Sequence, residues 1–183
     1  TDDGDVTPVD DTTDDGDVNK NWYNEEPGFE PSQGTQSHND YALTLGSDRY
    51  GKNYVDNGFT FNDFTTDVKN LKTHMPLQTL NVGESNTAVL KIYDYKGAGK
   101  IEHVELAFGL NKKQYASESS NTITWKQNFK GIQSITTKDS DNTLMDVHAV
   151  GEAEGKIMKI TFNFAFREPM DKSKIGVVVW DQD

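Results

Sequence analysis

The side chains best equipped for chemistry in this 183-residue chain are carboxylates. Thr1-Asp-Asp-Gly-Asp-Val6 recurs as Thr13-Asp-Asp-Gly-Asp-Val18, an internal repeat with a period of 12 residues. Asp-rich loops with Gly at the turn suit a hard cation such as calcium, which takes about six to eight oxygen ligands. Asp14, Asp15 and Asp17 are the candidate ligands of the repeat. Asp11, Thr13, Asp15 and Gly16 follow the opening of an EF-hand loop, but Trp22 stands where the closing bidentate Glu is needed, so a true EF-hand is not expected. A second candidate calcium loop is Asp139, Asp141, Asn142 and Asp146, whose carboxylates are spaced so that they could converge on one cation. Both segments also read without a metal, the repeat as a self-repelling linker and the loop as a solvated turn. In a third reading of the repeat, Val6, Val9 and Val18 add a strand to a neighbouring subunit.

Four histidines are present: His38, His74, His103 and His148. No two stand at a metal-binding spacing. His74-Met75 pairs imidazole with thioether, a combination copper accepts, although Met75 before Pro76 also reads as a packed residue leading to a turn. His103 and His148 belong on the polar faces of their strands, near Glu102, Glu105 and Asp146. They would form a His/carboxylate cluster if those strands pair, and a solvated face otherwise. Glu102 and Glu105 are an odd number of residues apart and so point to opposite faces of a strand, a poor acid/base pair for glycoside hydrolysis. No nucleophile elbow, dinucleotide fingerprint or P-loop occurs. With no Cys, disulfides, thiolate nucleophiles, iron–sulfur clusters and Cys-ligated metals are excluded. No catalytic residue is nominated, and the chain is expected not to be an enzyme. Trp22, Tyr23, Tyr50, Tyr54 and Trp125 are candidates for stacking on sugar rings, with burial as anchors the alternative.

Charge is distributed unevenly. Residues 1–30 hold eight Asp, three Glu and one Lys, a formal −10 of the total −12. No basic patch is visible, and a phosphate backbone would be repelled by this segment, so nucleic acid is not an expected partner. No run of eighteen apolar residues exists to span a membrane. The chain starts at Thr1 without Met, as a processed or trimmed chain would, so a missing signal peptide does not argue for the cytoplasm.

The elements that must position these residues are strands. In residues 156–166, Met158, Ile160, Phe162, Phe164 and Phe166 alternate with Lys159, Thr161, Asn163 and Ala165. That period of two gives one apolar face, and three phenylalanines on it demand a second sheet. Around it, strands are expected at 77–82, 87–93 (Ala88, Leu90, Ile92 on one side), 101–110 (Val104, Leu106, Phe108, Leu110 together), 121–126, 132–137, 144–150 (Met145, Val147, Ala149 inward) and 175–180. The last is apolar almost throughout, as a strand buried on both faces would be. Phe59 and Phe61 share a face, and residues 66–71 are the one place a short helix is expected. Pro27 and Pro31 argue against a central strand in 19–40, which reads as an irregular segment wrapping onto the domain. The expected fold is an all-β antiparallel β-sandwich, immunoglobulin-like or jelly-roll in type, over residues 37–183, preceded by an acidic extended segment over 1–36.

Ser37-His-Asn-Asp-Tyr41, Asn53-Tyr-Val-Asp-Asn-Gly-Phe-Thr-Phe-Asn62, Ile101-Glu-His-Val-Glu-Leu106, Phe164-Ala-Phe-Arg-Glu-Pro-Met170 and Val179-Trp-Asp181 follow in an order that resembles the secreted β-sandwich domains of ammonia-oxidising archaea. The resemblance covers about residues 37–181 and leaves the acidic repeat outside. It implies an exported, cell-surface module and supplies no catalytic residue. The functional expectation is a non-enzymatic extracellular structural protein of a surface layer (S-layer), filament or tube. It would self-assemble or contact other cell-surface proteins, require no cofactor, and be assisted by calcium. A carbohydrate- or ligand-binding module of a larger secreted protein is the alternative, and a copper-binding protein the third reading.

Overall fold

The computed structural model describes residues 28–33 (backbone), 43–48, 51–69 and 72–181. Among them the chain forms β1 (Gly28–Gln33), β2 (Phe59–Phe61), β3 (Phe64–Thr66), β4 (Thr73–His74), β5 (Asn86–Tyr93), β6 (Ile101–Leu110), β7 (Asn121–Gln127), β8 (Gln133–Asp139), β9 (Leu144–Glu154), β10 (Ile157–Phe166) and β11 (Lys174–Asp181). One sheet has the order β4-β1-β11-β6-β7-β8 and the other β3-β2-β5-β10-β9. Single 3-10 turns at Ala98–Lys100 and Ala116–Glu118 are the helical elements among the described residues, and no helix there is long and apolar enough to cross a membrane. The fold is a β-sandwich.

The alternation in β10 does what its period requires. Met158, Ile160, Phe162, Phe164 and Phe166 are all buried in one core with Phe59, Phe61, Ala88, Leu90 and Ile92 of their own sheet. The opposing sheet contributes Val104, Leu106, Phe108, Ile123, Trp125, Val177 and Val179. Phe108 meets Phe164 at 4.8 Å between ring centroids and Phe166 edge-on at 5.4 Å, a geometry aromatic quadrupoles favour. β11 is buried on both faces, as its unbroken apolar run predicts: Val177 and Val179 face the main core, and Val178 joins a smaller cluster outside with Ala107, Leu110 and Ala116.

The structure corrects the strand reading in several places. Residues 77–82 form no strand; they are an extended connection with Leu77 and Val82 exposed. No helix spans 66–69: Thr66 closes β3, and Val68 makes a parallel bridge to Gly46. Gly28–Gln33, on the N-terminal side of residue 36, is not irregular. It forms β1, which runs parallel to β11; the other pairs among the described strands are antiparallel. β4 pairs with Gly28 and Phe29, so beyond Phe29 that side of β1 has no described ladder for Pro31 to break.

Two inward assignments fail for one shared reason. Between Lys174/Gly176 of β11, its partners on β6 step from Leu110 to Ala107, so β6 carries an extra residue there. Gly109 sits in this bulge at φ 73°. Leu110 is thereby turned to the outer face, away from Val104, Leu106 and Phe108. On β9, the partners of Asn163 and Ala165 are His148 and Met145, again one residue too many, with Asp146 at φ 53°. Leu144 takes the inward place opposite Phe166, and Met145 is displaced from it.

Candidate functional site

The two sheets end in different ways. At one end, past Phe61 of β2, Phe108 of β6 and Phe166 of β10, the sandwich opens into a cleft of about 310 Å³. Its walls are the connection 75–82, the loop 168–173 and the start of β11 at Lys174 and Ile175. Phe61, Phe108 and Phe166 form a buried aromatic floor, while Glu168, Asp171 and Lys172 are exposed on the rim. Met170 lies over Gly109, its Cε 3.1 Å from where a Cβ would stand. An apolar floor with a few polar groups at the mouth is the usual make-up of a binding cleft.

Along one side, β8 and β9 are the outermost strands of their sheets. They are tied together by Gln133. Its Oε1 accepts from Trp125 Nε1 (3.0 Å) and Gly151 N (2.9 Å), and its Nε2 donates to Gly151 O (2.7 Å). β8 itself is exposed from Gln133 to Lys138 and pairs with β7 in unbroken register. Gln133-Ser-Ile-Thr-Thr137 has no charge and no proline. The turn before it leaves Phe129 80% and Ile132 62% exposed. From Gln133 to Thr137 the strand therefore lacks the charges, prolines and bulges by which edge strands are usually protected.

The candidate calcium loop of the body is the β8–β9 turn. Asp139 Oδ1 accepts from Thr143 N (2.7 Å) and Oδ2 from Leu144 N (2.8 Å), so both oxygens hold the β8–β9 turn. With its amide nitrogen toward Asp139, Asn121 also donates to Oδ1 (3.1 Å). Asp141 and Asn142 lie exposed in the turn, and Asp146 is the exposed bulge residue of β9. No group of three or more His, Asp or Glu side chains among the described residues could hold a metal ion. Asp14, Asp15 and Asp17 fall outside the described residues, as do His38, Trp22, Tyr23 and Tyr50.

The remaining candidates are dispersed. His74 is exposed on β4, whereas Met75 packs on the core and lines the cleft. β6 and β9 belong to different sheets, so His103 and His148 do not form the expected cluster. His103 instead sits edge-on against Trp180 (4.0 Å between centroids) with Nε2 4.0 Å from Glu105 Oε2. Trp125 is fully buried, and Tyr54 stacks on Tyr93 at 4.8 Å, so neither joins a planar row of exposed aromatics. Sequence reasoning missed Asp94. It is buried, its Oδ1 accepts from Lys96 N (2.8 Å), and its Oδ2 has no hydrogen-bond partner. Burial pushes this carboxyl above the usual carboxylate range, against the pull of the Lys96 N–H; nearby Asp181 pushes it further up.

Fold and surface together define a β-sandwich with an aromatic cleft at one end and an unprotected edge strand along one side. No protein-family model, curated protein or solved structure matches the chain.

Proposed function

We propose that the chain is a non-enzymatic structural module of an extracellular or cell-envelope assembly, and that it associates with copies of itself. The observation that carries this reading is the β8 edge: seven residues in regular register, six of them exposed, with no charge before Lys138. An edge of that kind is a template for a strand from another molecule. The likeness of the motif order to secreted β-sandwich domains of ammonia-oxidising archaea supports the placement outside the cell. Calcium assists by reducing repulsion among the acidic N-terminal segments, whose first thirty residues carry −10. The test is sedimentation of the full chain over a range of concentrations, with and without millimolar-scale calcium. Concentration-dependent association that Thr136→Lys suppresses supports the reading. A wild-type chain that stays monomeric throughout refutes it. The cleft favours a second reading, a module that binds a small apolar ligand; saturable binding to the monomer with no effect on association would support that instead.

A further inference from the structure

The exposed aromatic and the aromatic cleft lie at opposite ends of the same molecule. The cleft opens at the Phe108–Gly109 end of β6. The turn 128–132 follows Gln127, whose Nε2 donates to Ile101 O (3.0 Å) at the other end of β6. A ten-residue strand sets these ends about 30 Å apart. The turn is well formed. Asn128 N donates to Ile132 O (3.0 Å), and Asn128 Oδ1 accepts from Lys130 N (2.9 Å) and Ile132 N (3.0 Å). Gly131, at φ 75°, donates to Asn128 O (2.8 Å). Phe129 is thus held out into solvent by its own backbone, with Lys130 Nζ 5.5 Å from its ring centroid.

From this geometry we infer that Phe129 of one copy seats in the cleft of the next, so that copies join end to end. This deepens the assembly reading above and rests on it. The knob is aromatic, and the floor that would receive it is Phe61, Phe108 and Phe166, which can offer edge-to-face contacts. Met75 and Met170 line the cleft and can adapt to the ring. Charge complements shape. The turns 94–100, 128–132 and 154–156 at the Phe129 end expose Lys96, Lys100, Lys130 and Lys156 against one exposed acid, Glu154. The cleft rim exposes Glu168 and Asp171 beside Lys172, so Lys130 arriving with Phe129 meets an acidic side. Because knob and cleft are different surfaces at opposite ends, the contact is heterologous and does not close on itself in pairs; repeated, it makes a chain of subunits.

The experiment uses two full-length variants, each altered at an exposed residue: Phe129→Ala removes the knob, and Leu77→Arg obstructs the cleft wall. Circular dichroism and thermal melting establish that both fold as wild type does. Each alone is expected to weaken self-association about tenfold or more and to abolish long assemblies in electron micrographs. Mixed in equal amounts they should pair, because the intact cleft of one accepts the intact Phe129 of the other, and the pair cannot grow by this contact. If both variants associate as strongly as wild type while Thr136→Lys does not, the end-to-end contact is overturned and the edge-strand reading survives. Failure of the mixture to pair also overturns it, and a monomeric wild type brings down both.

Discussion

Gly151→Ala tests the packing that holds the β8–β9 side together. Gly151 lies on β9 against Trp125, and an added Cβ would stand 2.9 Å from Trp125 Cε2, closer still to Cζ2, and 3.2 Å from Met158 Sδ. Its φ is not in the left-handed region, so alanine carries no backbone strain, and the effect is steric. Trp125 is fully buried and cannot retreat without disturbing Ile123 or Met158 or losing its bond to Gln133 Oε1. Overpacking of this kind costs about 1–3 kcal/mol. A lost Trp125–Gln133 hydrogen bond adds about 1 kcal/mol, and the reduced freedom of the unfolded chain returns about 0.4–1 kcal/mol. The expected net loss is about 1–3.5 kcal/mol, which lowers Tm by about 2–14 °C for a chain of this size. Urea unfolding followed by tryptophan fluorescence should show a lower midpoint with unchanged slope. Trp125→Phe removes the atoms that collide, so the double variant should be less destabilised than the sum of the singles. A Gly151→Ala chain within about 0.5 kcal/mol of wild type, the range of an inert surface change, would refute the close-approach account.

Asp139→Ala should destabilise the fold by about 1–3 kcal/mol, because Thr143 N and Leu144 N lose their acceptor; urea midpoints measure it. Gly109→Ala should cost about 1–2 kcal/mol for an L-residue at φ 73°, with Met170 forced to move as well, and the loss should appear as faster amide exchange at the cleft end of β6. Asp94 gives a pH dependence of defined sign. Its folded-state proton is held more tightly than in the unfolded chain, so the stability it contributes is present in acid and lost as pH rises through the raised value. Asp94→Asn should therefore flatten the fall in stability as pH rises above the ordinary carboxylate range, and an unchanged slope would remove Asp94 as its source.

The sandwich was legible because its strands obey a period of two over long runs. β5 and β10 pair in register from Ile157 opposite Tyr93 to Phe164 opposite Asn86, and on these two strands every inward residue named from the pattern is buried. The reading failed where tertiary pairing decides. Residues 77–82 have strand composition, yet among the described residues no strand pairs with them, and Leu77 and Val82 stay in solvent. β1 contains Pro31, which spoke against a strand, yet β11 supplied a parallel neighbour. Spacing alone also did not reveal that the Asp139 oxygens accept from Thr143 N and Leu144 N. The cleft was invisible because its floor and walls come from four separated stretches of the chain.

The failures at Leu110 and Met145 bear on function as well as register. Had β6 kept its period, Leu110 would have followed Phe108 on the inner face and closed that end of the core. The bulge at Gly109 turns it outward to Ala107, Ala116 and Val178, and the inner layer ends at Phe108 and Phe166. The cleft opens at this end, with a glycine beneath Met170 where a side chain would intrude. The Asp146 bulge lies near the same end, opposite Phe164, and adds to the bend of β9 there. Left-handed residues in two facing sheets therefore interrupt the alternation at the end where the aromatic floor is uncovered. A bulge is costly to retain where a regular ladder would serve, and under the end-to-end assembly proposed above these two keep the receiving end of the sandwich open.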